Sequence, residues 1–115
     1  MDNCIFCKIV KGDISSEKIF ENDNFFSIND VNPVVKGHTL VISKNHFESI
    51  LDMPDSLGSE LLECVKKTAM KVMGEQKAEG FNLVANTFEV AGQVVKHFHI
   101  HIIPRKKDDG FKLGV

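Results

Sequence analysis

The sequence predicts an α+β fold in which one long amphipathic helix packs on a mainly antiparallel sheet of about five strands. Three observations carry this. Between Asp55 and about Ala78 the residues Leu57, Leu61, Val65, Ala69 and Val72, with Leu62 and Met73 beside them, recur at the three- and four-residue spacing of a helix face. Around that segment, short β-rich runs are separated by Asn, Gly and Pro punctuation. Finally, three of the five histidines alternate with apolar residues in His97-Phe98-His99-Ile100-His101-Ile102-Ile103. In an extended strand the imidazoles share one face, while Phe98, Ile100 and Ile102 face a core.

Taken in order, Lys18 to Glu21 and Phe25 to Ile28 read as a strand pair joined by the turn Asn22-Asp23-Asn24. Asn32-Pro33 and Lys36-Gly37 interrupt regular structure before a third strand, His38 to Ser43. The helix follows Pro54, with Asp55 or Ser56 as its cap and Gly80 as its stop; Gly58 and Gly74 lower its propensity without preventing it. Its apolar stripe is expected to cover one face of the sheet. Phe81 to Thr87 is a fourth strand, Phe88 to Gln93 is irregular, and Lys96 to Ile103 is the histidine strand, ending at Pro104. One domain, 1–115, with no repeat or linker, is expected.

Composition excludes several classes. Hydrophobic residues at 43% and charged residues at 26% argue against disorder, and a net charge of −2 leaves no basic footprint for nucleic acid. Arg105-Lys106-Lys107 is followed by Asp108 and Asp109 and reads as a charged turn. No apolar run suits a membrane span or secretion signal, so a soluble, cytoplasmic protein is expected. The cysteines Cys4, Cys7 and Cys64 are odd in number and suggest no disulfide framework; Cys64, in the helical pattern, reads as core filler.

The clustered histidines suit proton and phosphate chemistry, because imidazole titrates near neutrality and serves as nucleophile, proton shuttle or metal ligand. Cys4 and Cys7 form a Cys-x-x-Cys pair, half of a zinc site. A reduced, metal-free pair is the alternative. A redox dithiol fits poorly without a βαβ context.

The run His97 to Ile103 resembles the signature of the histidine triad superfamily. The likeness extends in order through Cys4-Ile5-Phe6-Cys7-Lys8-Ile9-Val10, Phe26-Ser27-Ile28-Asn29-Asp30, Gly37-His38-Thr39-Leu40-Val41-Ile42 and Gly92-Gln93, covering nearly the whole chain. It is nearest to the compact microbial members of the Hint-like branch. This resemblance implies a nucleotide hydrolase or nucleotidyl transferase acting on purine nucleoside phosphoramidates or related AMP conjugates through a covalent nucleotidyl-histidine. Diadenosine polyphosphate hydrolysis and a non-catalytic nucleotide-binding adaptor are the alternatives.

By the same resemblance His99 is the nucleophile, its tautomer fixed by a backbone carbonyl, and His101 and His38 stabilise phosphate charge or pass a proton to the leaving group. Asp30 would accept from the ribose hydroxyls, Phe6, Ile9, Ile28 and Val31 would form the base slot, and Asn86 and Gln93 would contact phosphate. Read without the family, Asp30 makes a turn and Asn86 closes a strand end. The resemblance also implies a homodimer and a structural zinc on Cys4, Cys7, His46 and His97, with no organic cofactor. One departure stands out: many relatives carry a serine after the Gly-Gln pair, able to bond phosphate or leaving group, where this chain has Val94. Thr87-Phe88-Glu89-Val90-Ala91 is also bulkier than the glycine-rich connection common there. Leaving-group preference therefore does not transfer with the motif.

Overall fold

The computed structural model describes residues 3–115. Five strands, β1 (Lys18–Glu21), β2 (Phe25–Asn29), β3 (Thr39–Ser43), β4 (Gly80–Val84) and β5 (His99–Arg105), form one sheet in the order β1-β2-β3-β5-β4, antiparallel throughout. A short helix α1 (Ile5–Lys11) precedes the sheet, and the long helix α2 (Gly58–Gln76) lies between β3 and β4 in sequence. The expected fold class is the one observed.

Each face of the sheet has its own core. Phe25, Val41, Phe98, Ile100 and Ile102 pack against Cys64, Val65 and Ala69 of α2, so the helix stripe covers the face predicted from its period. Thr68 anchors it further by donating a buried 2.7 Å hydrogen bond to Ser27 of β2. Cys64 is the filler expected, fully buried, and burial pushes its thiol up to about 11. On the opposite face Phe26, Ile28, Leu40 and Ile42 pack beneath Phe6 and Ile9 of α1. Because β5 pairs with β3 in the register Leu40↔His101 and Ile42↔His99, those imidazoles stand on the α1 face.

Several boundaries differ from the sequence reading. The chain between Asp55 and Leu57 is a separate 3₁₀ turn, so neither Asp55 nor Ser56 caps α2, which begins at Gly58 without a side-chain cap. Its stop is Lys77, in the left-handed region at φ 54°, and Gly80 opens β4 instead. The fourth strand closes at Val84, well before Thr87. The histidine strand starts at His99, so His97 precedes the ladder, and it runs through Pro104 to Arg105. Pro104 is tolerated because it lies beyond the last β3 partner, at Thr39↔Ile102, where β4 alone borders β5. The Arg105 turn is tied down by a two-pronged ion pair to Asp109.

The α1 helix has no counterpart in the periodicity, for it is only seven residues long and is capped by an unusual group, the Cys4 sulfur accepting from the Cys7 N–H at 3.4 Å. Gly12 ends it at φ 85°. Asn22 fixes the β1–β2 turn by accepting from the N–H groups of Asn24 and Phe25, and donates to the Glu60 carbonyl of α2.

One glycine positions the site. Gly37, at φ 92°, precedes His38, and a Cβ there would sit 2.6 Å from Gln76 Cγ and 3.1 Å from Pro104 Cγ. Gly37→Ala should therefore lower stability by about 1–3 kcal/mol in a urea titration; an unchanged midpoint would remove this constraint.

Candidate active site and metal cluster

A cleft of about 460 Å³ opens on the α1 face, walled by apolar side chains of α1, β2 and the loop after β2, with His99 and His101 at its floor. Phe6, Ile9, Ile28 and Leu40 form the buried part of the wall, and Val31, 87% exposed, forms the lip. An apolar slot beside imidazoles can take a planar base at one end and an anionic group at the other.

Hydrogen-bond partners fix the imidazole tautomers. A carbonyl oxygen only accepts, so His99, whose Nδ1 lies 2.7 Å from the His97 carbonyl, carries its proton on Nδ1 and leaves the Nε2 lone pair free. The Phe6 ring meets the His99 ring edge-on at 5.2 Å and holds its orientation. His38 Nδ1 accepts from the Val34 N–H at 3.1 Å, so its proton is on Nε2. That Nε2–H points at His101 Nδ1, 2.9 Å away, which makes His101 an acceptor there and leaves its other nitrogen, Nε2, protonated. One imidazole thus offers a lone pair and its neighbour a donor.

Asp30 stands behind this pair, its Oδ2 at 3.4 Å from His38 Nε2 and 3.9 Å from His101 Nδ1. Its Oδ1 accepts from the Asn32 N–H at 2.8 Å, so the residue does make the turn that its place before Asn32-Pro33 suggested, while its other oxygen faces the histidines. Burial, reinforced by the charges His99 and His38 carry when protonated, pushes His101 down to about 4, against an upward pull from Asp30. Burial lowers His38 too, again opposed by Asp30.

A second cluster joins the N-terminal segment to the chain before β5: one ligand atom from each of Cys4, Cys7, His46 and His97 lies within 4.8 Å of all the others. His97 is fully buried, and its Nε2–H donates to the Ser43 carbonyl at 2.6 Å, which turns an unprotonated Nδ1 toward the cluster. That Nδ1 lies 3.3 Å from Cys4 Sγ, 3.6 Å from Cys7 Sγ and 3.1 Å from His46 Nδ1; Cys7 Sγ lies 3.2 Å from the same His46 nitrogen. Ligands on a tetrahedral zinc are separated by about 3.3–3.8 Å, given ordinary Zn–N and Zn–S bonds. The donors therefore fit zinc in type, number and spacing. Without a cation, burial and the neighbouring Cys4 hold the Cys7 thiol above its usual range.

The family model of the HIT domain matches residues 11–108. The chain belongs to this family. Protein hit of Bacillus subtilis is 45% identical over 111 residues, covering 96% of this chain and 77% of that protein. An adenosine 5′-monophosphoramidase of Candida albicans is 41% identical over 117 residues, covering 98% and 76%. Among solved structures, a zinc-bound histidine triad family protein from Mycobacterium smegmatis superposes with a TM-score of 0.85 at 34% identity, covering 97% of this chain and 81% of that one.

In this HIT domain nearly all the residues expected at a nucleotide site line one cleft: Phe6, Ile9, Ile28, Asp30, Val31, His38, Asn86, His99 and His101. Gln93 is the exception. It is 4% exposed, its Oε1 accepts from the Phe88 N–H, and its amide donates to the Glu48 and Val95 carbonyls, so its side chain braces the loop. Asn86 also has a loop contact, 3.4 Å to the Gly92 carbonyl. Sequence reasoning missed Ile5, Val34, Leu40 and Val95 of the wall, and the Val34 N–H that orients His38. A main-chain donor leaves no residue-type signal.

An unfolded imidazole takes up a proton near pH 6.5, whereas His101 in the folded chain stays neutral until about 4. Acid in that window therefore favours unfolding: the stability is fully present above pH 6.5 and is lost as pH falls toward 4. The unfolding free energy followed by urea titration should drop across this range, and His101→Gln should flatten the drop by about 2–3 kcal/mol. Parallel curves for the two proteins would refute the assignment.

Proposed function

We propose that this HIT domain protein is a nucleotidyl hydrolase acting on purine nucleoside 5′-phosphoramidates or related AMP conjugates, with His99 as nucleophile. The observation that carries the reading is the pairing of tautomers: a free Nε2 on His99, held by the His97 carbonyl, beside a protonated His101 Nε2. The activity named for the Candida albicans relative lends support.

Catalysis then follows from these groups. The base lies in the apolar slot under Phe6 and Ile9, and Asp30 accepts from the ribose hydroxyls. Phosphate charge raises the proton affinity of the His38–His101 pair, which takes up one proton from solvent. His99 Nε2 attacks the α-phosphorus, the P–N bond breaks, and the departing amine leaves with that proton. Water then attacks phosphorus and breaks the His99–phosphorus bond; its proton returns to the His38–His101 pair and AMP is released. Diadenosine polyphosphates differ only in leaving group, and a non-catalytic adaptor would bind AMP without turnover.

We assign a structural zinc to Cys4, Cys7, His46 and His97. When bound, the ion supplies a closed four-ligand cross-link, with no open position for chemistry. A homodimer is the proposed assembly: β4 is an end strand, and Phe81 and Leu83 on it are 39% and 49% exposed. A solution mass matching one chain at micromolar concentration would remove it.

Quenched mass spectrometry with adenosine phosphoramidate should find an adenylyl adduct on His99, and His99→Ala should lose about 10⁴-fold in turnover while retaining AMP binding. AMP binding with neither adduct nor turnover would favour the adaptor. Protein purified without chelator should hold about one equivalent of zinc, and Cys7→Ser should lose the metal and about 10 °C in thermal midpoint; metal-free protein of unchanged stability would refute the assignment.

A further inference from the structure

The cluster of Cys4, Cys7, His46 and His97 faces solvent through two of its members. A cavity of about 380 Å³, walled by Ile5, Val94 and Val95, has Cys4 and His46 in its lining, whereas Cys7 and His97 are buried, at 9% and 0% exposure. One water fills about 30 Å³ of liquid, so the cavity admits solutes of several heavy atoms to the Cys4 sulfur. The two sulfurs already stand together: Cys4 Sγ accepts from the Cys7 N–H at 3.4 Å, and the ligand atoms of the cluster all lie within 4.8 Å of one another. A disulfide bond of about 2 Å therefore needs them to close by less than about 3 Å, within the sweep of χ1 rotation. An accessible thiolate with a second cysteine beside it is the arrangement that peroxide converts most readily to a disulfide.

We propose that Cys4 and Cys7 are a modification site for hydrogen peroxide, which enters through this cavity and oxidises the pair to a disulfide, ejecting the bound ion and loosening α1 over the cleft that holds His99. The inference rests on the zinc assignment and extends it from a structural tie to a means of control. The Cys4 thiolate, kept deprotonated by the ion, attacks one peroxide oxygen. The O–O bond breaks, leaving a sulfenic acid on Cys4 and releasing hydroxide. The Cys7 thiolate then attacks the Cys4 sulfur, the S–O bond breaks, and a second hydroxide departs as the disulfide forms. The two thiolates have lost two electrons, peroxide has gained them, and the ion leaves with its charge unchanged. His46 and His97 remain, two neutral donors where a closed site needs four. With the ion gone, α1 loses its tie to the chain before β5, and α1 carries Phe6 and Ile9 of the cleft wall. Cys64 takes no part, because it is fully buried in the core beneath α2 and its thiol is pushed up to about 11. The pair acts on its own metal and on no substrate disulfide, so it has no need of the βαβ scaffold of a dithiol enzyme.

The test uses the full chain, purified without chelator, with its zinc content measured first. Excess hydrogen peroxide should release about one zinc per chain to a chromogenic indicator, lower the protein mass by about 2 Da and yield a linked Cys4–Cys7 peptide. Dithiothreitol with added zinc should reverse all three changes, and Cys64→Ala should respond as the wild type does. In the reduced, zinc-loaded protein, N-ethylmaleimide should label Cys4 about 10-fold faster than Cys7, as entry through the cavity requires. After oxidation, amide hydrogen exchange across Ile5–Lys11 should speed up by about 10-fold and AMP affinity by calorimetry should fall by about 3-fold. Zinc retained under peroxide, a mass change without the Cys4–Cys7 link, or equal labelling of the two cysteines would overturn the modification site and leave the zinc assignment standing. Unchanged exchange and AMP affinity in the oxidised, metal-free protein would overturn its control of the cleft. A protein that never holds zinc would overturn both the assignment and the inference.

Discussion

The register of β5 on β3 is the constraint on which the rest of the molecule depends. With Leu40 opposite His101 and Ile42 opposite His99, the imidazoles stand in the α1 face while Ile100 and Ile102 complete the core beneath α2. A slip of one residue would bury both histidines against the helix and expose both isoleucines, losing several kcal/mol of apolar burial as well as desolvating two polar rings. The hydrophobic pattern that folds the sheet is therefore also the device that selects the chemical face.

His97 shows how local geometry extends that control. It stands just ahead of the ladder, where its carbonyl holds His99 Nδ1, its Nε2–H is held by Ser43, and its Nδ1 faces Cys4, Cys7 and His46. The Phe6 ring packs edge-on against both His97 and His99, at 5.6 and 5.2 Å. The same short helix that caps itself on a candidate metal ligand also walls the cleft that holds His99. Any disturbance of the cysteine cluster reaches His99 through these contacts.

The parts of this arrangement legible in the sequence are those written in side-chain periodicity. The long helix, the β1–β2 turn, the alternate faces of the histidine run and the convergence of Asp30, His38 and His101 all follow from spacing, or from the likeness to histidine triad proteins. What escaped is held by backbone groups or by tertiary context. The α1 helix is too short for a periodic signal, Pro104 stays in its strand only because β3 has already ended, and Gln93 spends its amide on three backbone partners. A residue type announces what it is able to bond, and only the fold decides whether a nearer partner claims it.

The same distinction separates the two donor clusters. Cys4, Cys7, His46 and His97 converge, and so do Asp30, His38 and His101, so proximity alone nominates both for a metal. Proton positions divide them. His97 has its proton drawn away by Ser43, which leaves Nδ1 unprotonated and aimed at its neighbours. His38 accepts from Val34 through Nδ1, so the nitrogen that faces Asp30 and His101 carries the hydrogen. A cation there would have to break the Val34 bond or strip His38 to an imidazolate, and burial already disfavours any change of charge at that ring. The first group is arranged to hold an ion and the second to hold a proton, with His99 beside both and taking its orientation from the His97 carbonyl.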